Sequence, residues 1–166
     1  FSMTSPQTHR VAAVLLEKGA NCAQIASEVL DSYSIDRLQL LGTVLDGLTY
    51  LKEYKTAYMS VSSKILKQFN FRKGDTEGFV NYGLTIKNTR LAVIFIQEGD
   101  YVKMSLRSKG TTDVNRFARE HFNGGGHINA AGGSMSISLE DTIAYFLEVL
   151  PKFLSLPNAY QPMDTL

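Results

Sequence analysis

Six consecutive apolar residues, Leu91-Ala92-Val93-Ile94-Phe95-Ile96, constrain the fold of this chain more than any other feature. A strand points successive side chains to opposite faces, so a run that is apolar at every position has to be covered on both. The run therefore predicts a central strand in a sheet with helices on either side. Its surroundings agree. Glu98-Gly99-Asp100 reads as a turn, most simply a hairpin, into a strand over Tyr101–Arg107. There Val102, Met104 and Leu106 point one way, and Tyr101, Lys103, Ser105 and Arg107 the other. Lys55–Ser62 alternates with Ala57, Met59 and Val61 on one face, and Ser134–Ser138 with Met135 and Ile137 inward. Helical patterns lie between: Ser63–Phe69, then Thr76–Leu84 capped by Asp75 with Phe79, Val80 and Tyr82 in its body. Another starts at Thr112 or Asp113, faces Val114, Phe117 and Ala118 inward, and runs out near His121 and Asn123. The last opens on Ser138 and Asp141, which resemble a capping box, and carries Ile143, Phe146, Leu147 and Leu150 before Pro151. The predicted class is α/β, a mixed β-sheet of about four or five strands flanked by helices.

An N-terminal helical segment precedes that sheet. Ser5 caps a helix with Pro6 at its first position and Val11, Val14, Leu15 and Leu16 along it, and Gly19 ends it. Asn21 caps a second with Ile25, Ala26, Val29 and Leu30 on one face. Ser34 caps a third, carrying Ile35, Leu38, Leu41, Val44, Leu45 and Leu48. The chain starts at Phe1, directly before a helix start signal, which suggests a piece of a longer protein. Its 166 residues suffice for one good core or two small ones. No segment approaches the apolar length of a membrane span, and the single cysteine, Cys22, suits a reducing cytoplasm as a packed, inert thiol. A net charge of +1 gives no reason to expect wholesale coating of nucleic acid, so any anion site has to be local.

The local candidate is Asn123-Gly124-Gly125-Gly126-His127-Ile128-Asn129-Ala130-Ala131-Gly132-Gly133, in which five of eleven residues are glycine. Consecutive glycines can reach positive φ and curl into a nest of N–H donors that holds an anion, usually phosphate. A histidine directly behind them can donate to a phosphate oxygen or carry a proton. The plain alternative is a glycine-rich surface turn with an incidental histidine. Arg107 ends its strand, where ligands commonly gather in open α/β sheets.

Taken together, Ser105-Leu106-Arg107-Ser108, Asp113-Val114-Asn115 and the stretch from Gly124 to Gly133 resemble the DHH phosphoesterase family, with Asp75-Thr76-Glu77-Gly78 matching a further family segment. The match is to the substrate-binding domain that follows the family's Asp-His-His catalytic domain, and within it to the bacterial oligoribonuclease/pAp-phosphatase branch, formerly called exopolyphosphatase-related. It covers roughly residues 50 to 150. The organisation expected from it is a helical end of the catalytic domain plus connector over 1–50, the DHH-associated domain over 51–155, and a loose tail over 156–166.

What the resemblance implies is a domain that grips a nucleotide phosphate of a short 5′-phosphorylated oligoribonucleotide or of pAp. Arg107 and His127 would contact the phosphate, and Gly124, Gly125 and Gly126 would supply backbone donors. Ser105 and Ser108 are neutral donors beside Arg107, though Ser108 can equally cap the turn after the strand. Lys103 shares the strand face of Arg107, with a solvated lysine as the simpler reading. Asn115 faces either ligand or loop. Arg116 and Arg119 fall on the outer helix face as solvent contacts, and His121 reads as a helix-end residue. The family's two manganese ions belong to the preceding catalytic domain. This chain has no Asp-His-His cluster, so no metal ligand or catalytic residue is assigned to it and it should be inactive alone. A homodimer is implied by the family only. Related readings are a cyclic-di-AMP/pApA phosphodiesterase substrate domain, or a nucleic-acid-binding module like the C-terminal domain of alanyl-tRNA synthetases, which typically lacks a histidine at the position of His127.

Overall fold

The computed structural model describes residues 4–155 apart from the Leu30 side chain; the tail expected over 156–166 lies outside the described residues. The chain divides into two compact units, one ending at Ile35 and the other beginning at Asp36.

The first unit holds α1 (Pro6–Glu17) and α2 (Cys22–Leu30). The Ser5 hydroxyl accepts from the Thr8 amide at 3.3 Å, and the Thr8 hydroxyl accepts from the Ser5 amide at 3.3 Å, a reciprocal cap. Asn21 Oδ1 accepts from the Gln24 amide at 3.0 Å. Both caps match the sequence reading. Cys22, expected to be packed, is instead exposed.

The second unit runs α3 (Ile35–Asp46), β1 (Thr49–Leu51), β2 (Thr56–Val61), α4 (Ser63–Gln68), α5 (Phe79–Thr85), β3 (Leu91–Glu98), β4 (Tyr101–Ser108), α6 (Val114–His121), β5 (Gly125–His127), β6 (Ala130–Met135) and α7 (Leu139–Ser155). Its sheet has the order β1-β2-β3-β4-β6-β5. Only β2 and β3 are parallel; the other neighbours are antiparallel.

The strand β3 organises both layers. Leu91, Val93 and Phe95 pack with Phe117, Phe122, Phe146 and Leu150 from α6, its C-terminal end and α7. Ala92, Ile94 and Ile96 pack on the other side with Leu40, Val44, Leu66, Phe79 and Val80 from α3, α4 and α5. These six side chains of β3 are all buried, each large one contributing about 1.5–3 kcal/mol of transfer free energy.

Several expectations need correction. The sheet has six strands, because β1 and the glycine strand β5 were not anticipated. The strand expected at Ser134–Ser138 runs from Ala130 to Met135 instead, leaving Ile137 exposed. α5 begins at Phe79, since Gly78 at φ 83° makes the turn into it, and Asp75 accepts from the Arg72 amide at 2.7 Å rather than capping it. α3 buries Leu40 and Val44, and leaves Ile35 and Leu38 exposed. α7 continues past Pro151 to Ser155, where Leu150 and Phe153 remain buried.

Candidate functional site

Strand register decides which polar side chains meet. In the hairpin of β3 and β4, Ala92 stands opposite Arg107, Ile94 opposite Ser105 and Ile96 opposite Lys103. In the next ladder Arg107 stands opposite Ala130 and Ser105 opposite Gly132, and Ala130 is in turn opposite His127. Directly opposed residues of antiparallel strands share a face. Arg107, Ala130 and His127 therefore form one row on one face, their outer Cα atoms about 10 Å apart across two strand spacings. It is the face on which α3, α4 and α5 cover β3.

That apolar cover stops at β3. Beyond it, Lys103 is exposed, and Ser105 and Arg107 are half-buried. α5 walls the near side, with Gly83 so close that an added Cβ would stand 2.9 Å from that of Ala92. By register the residues of β4, β5 and β6 on this face (Tyr101, Lys103, Ser105, Arg107, Ser134, Gly132, Ala130, Gly125 and His127) include no carboxylate, and Glu98 of β3 stands at the far end of the face, opposite Tyr101. Arg107 and Lys103 thus have no carboxylate within their own rows, a local charge balance that attracts anions.

The side chains keep donors in reserve. Arg107 Nη1 donates to the Leu106 carbonyl at 2.9 Å and grazes that of Ala131 at 3.5 Å. Its Nε and Nη2 have no partner among the described residues, which leaves a guanidinium edge for a bidentate acceptor. The His127 ring is exposed, and neither it nor the Ser105 hydroxyl has a hydrogen-bond partner among the described residues.

The glycines behave differently from the curled nest that their sequence suggests. α6 ends at His121 and is followed by Phe122 as its cap and Asn123 at φ 46°, and the Gly124 amide donates back to the Ala118 carbonyl at 3.2 Å. The chain then pairs with β6 as an extended strand. A Cβ on Gly124 would lie 2.0 Å from the Gly132 carbonyl oxygen, and Gly126 adopts φ 153°. The Gly126 amide donates to Asn115 Oδ1 at 2.9 Å. With that amide facing away from β6, those of Gly125 and His127 face the ladder. The glycine amides are thus already engaged, and the expected row of free backbone donors is absent from this segment.

Two further residues move. Ser108, expected as a donor beside Arg107, alternates to the opposite face and is buried. Its hydroxyl donates to the Thr112 carbonyl at 2.6 Å and accepts from Asn129 Nδ2 at 2.9 Å. Ser108 therefore anchors the loop after its strand. Asn115, for which loop and ligand were both open, faces the loop. Arg119 is exposed, as expected of the outer helix face, and donates from Nε to Asn115 Oδ1 at 3.1 Å beside Gly125. Arg116 pairs with Glu120 at 2.8 Å, and His121 Nδ1 lies 3.2 Å from the Tyr145 hydroxyl at the helix end.

Sequence reasoning missed Asn129. It donates from Nδ2 to Ser108 Oγ and to the Gly110 carbonyl at 3.0 Å, and its own carbonyl accepts from the Ser108 amide at 3.1 Å. The signal was an asparagine in the two-residue turn between His127 and Ala130, a turn-forming residue type.

Among the described residues, no three His, Cys, Asp or Glu side chains come together as a metal-holding group. The described residues thus offer no such group for a metal ion, and no step below is routed through one. No helix of the described residues is long and apolar enough to cross a membrane.

Comparison with known proteins gives a consistent picture. A family model described as "DHHA1 domain" matches residues 53–156. A Streptococcus mutans protein named "Probable bifunctional oligoribonuclease and PAP phosphatase NrnA" is 28% identical over 153 residues, covering 92% of this chain and 48% of its own length. The Bacillus subtilis "Bifunctional oligoribonuclease and PAP phosphatase NrnA" is 27% identical, with the same 92% and 48% coverage. The crystal structure of an exopolyphosphatase-related protein from Bacteroides fragilis superposes with a TM-score of 0.88 at 36% identity, covering 93% of this chain and 45% of that one. The chain spans about half the length of the curated relatives it matches.

Proposed function

Because this chain belongs to the DHHA1 domain family, we propose that it is the substrate-gripping part of a DHH-type nucleotide phosphoesterase. It binds the phosphate of a short 5′-phosphorylated oligoribonucleotide or of pAp. The observation that carries this reading is the single row of Arg107, Ala130 and His127, which by register holds no carboxylate of its own. Arg107 presents its free guanidinium edge to two phosphate oxygens, and His127 donates to a third. Each charge-assisted hydrogen bond contributes about 1.5–3 kcal/mol. Ser105 adds a neutral donor, and Lys103 adds long-range attraction at the open end.

The glycines act by shape. Ala130 and Gly132 make a floor with almost no side chain, so a sugar or base can lie against the sheet while its phosphate meets the row. Gly124 and Gly126 allow β5 to approach β6 closely enough to bring His127 into register.

Hydrolysis, with its two manganese ions, is assigned to the preceding catalytic domain. The NrnA relatives, which are about twice as long as this chain, are named as bifunctional oligoribonucleases and PAP phosphatases. A grip on the terminal phosphate would then set which bond reaches the metals, and only short chains would span the gap.

Calorimetric titration of this chain with pApA and with unphosphorylated ApA tests the reading. The expected result is tighter binding of pApA, with Arg107→Ala and His127→Ala each weakening it by about tenfold or more, the loss of one charge-assisted hydrogen bond. Equal affinity for both ligands in all three proteins would overturn it.

A further inference from the structure

The glycine edge carries a cation that the row of Arg107 and His127 leaves unused. Arg119 lies beside Gly125 and is held there through Nε by Asn115 Oδ1, the same oxygen that accepts the Gly126 amide. Its neighbour Glu120 is taken by Arg116, and among the described residues Arg119 has no carboxylate partner. Both of its Nη atoms are free among the described residues. A long, flexible cation on a helix surface normally loses its side-chain entropy only in return for a partner. Here Asn115 fixes its direction while leaving its charge uncompensated.

Gly125 supplies the second observation. A Cβ there would meet Arg119 Nε and Asn115 Oδ1 at 3.5 Å, an ordinary van der Waals distance. Gly125 is not a positive-φ glycine either. The fold thus demands glycine at 124 and 126 far more than at 125, where bareness opens the edge of β5 beside the guanidinium. Backbone amides cannot serve an anion at this edge, because Gly124 and Gly126 have already donated theirs. An anion that arrives here meets Arg119.

We propose that Arg119 is a specificity residue that takes a second phosphate of the same ligand, one nucleotide unit away from the phosphate held by Arg107 and His127. This rests on the reading of the row as a phosphate site. β5 is the last strand of the sheet, so a ligand can pass over its edge, with Arg107 and His127 at one end and Arg119 at the other. Asn115 is a positioning residue that aims the guanidinium. The arrangement selects ligands with two phosphates, such as pApA or pAp, over those with one.

Calorimetric titration of the 166-residue chain with AMP and with pApA, each at several salt concentrations, tests this in the wild type, Arg119→Gln and Arg107→Ala. The wild type is expected to bind pApA more tightly than AMP. Arg119→Gln should weaken pApA by about tenfold, leave AMP unchanged, and lower the salt slope for pApA by about one. Arg107→Ala should weaken both ligands. An Arg119→Gln protein that binds pApA as the wild type does, or that loses AMP and pApA equally, would overturn the assignment while leaving the row intact. A wild type that binds neither ligand would sink the row, and the second phosphate with it.

Discussion

A methyl group added at Gly126 would stand 2.5 Å from the Ala130 carbonyl oxygen, on backbone that side-chain-bearing residues rarely adopt. The same group at Gly125 meets nothing closer than 3.5 Å. Gly126→Ala should therefore cost about 1–3 kcal/mol of stability, and Gly125→Ala less than about 0.5 kcal/mol, in denaturant titrations. If Gly125→Ala nonetheless weakens pApA, that glycine serves the ligand and not the fold. Ser108 answers in the opposite sense. Its hydroxyl is the acceptor for Asn129 and the donor to Thr112, so Ser108→Ala should cost about 1–3 kcal/mol and leave ligand affinity per folded molecule unchanged. At this scale the sequence singled out Arg107 and His127 by the chemistry of their own side chains, and strand register sets them in one row. It was ambiguous for Ser108 and Asn115, because the face or partner of each depends on register. It did not reveal the contact of Arg119 with Asn115 beside Gly125, since spacing along α6 cannot show that the following segment folds back there.

At the scale of elements, hydropathy marked what burial pays for and nothing else. β3 was legible because both of its faces are buried, and β4 because one is. Phe95→Ala should cost about 3–5 kcal/mol, since the ring is buried among Phe146 and Tyr58 edge to face, and thermal unfolding would show it. A loss under 1 kcal/mol would mean that the layer can collapse around the gap. β5 left no hydropathic trace, because two of its three residues have no side chain. β1 is three residues long, too short for an alternating pattern to declare itself. The start of α5 was misread for a local reason. Asp75 satisfies the Arg72 amide in its own turn, and the helix waits for the left-handed backbone that Gly78 provides.

For the whole molecule, the family match begins at residue 53, yet the compact unit begins at Asp36. α3 accounts for the difference. Leu40 and Val44 are fully enclosed in the layer built on β3, so the helix belongs physically to the unit whose sequence family it precedes. Cutting the chain before Asp36 should leave the second unit cooperatively folded, with its melting midpoint within about 4 °C of the intact chain, the shift that roughly 1 kcal/mol produces. Cutting before Thr49 should remove Leu40 and Val44 and lower the midpoint well beyond that, as differential scanning calorimetry would show. By contrast α1 buries none of its residues, which is why its amphipathic pattern predicted a helix correctly and could say nothing about what it packs against.

The bonds around Asn129 bear on how the row could choose its ligands. One asparagine ties the end of β4 to the turn that carries His127, and the Ile128 carbonyl in the same turn accepts the first amide of α6. The strand end that carries Arg107 and the turn that carries His127 thus share one set of backbone supports. If the row holds a phosphate as proposed, the two would act as the jaws of a set calliper, rejecting by misfit rather than reshaping around whatever arrives, so that a well-sized guest would spend little free energy on tightening its host.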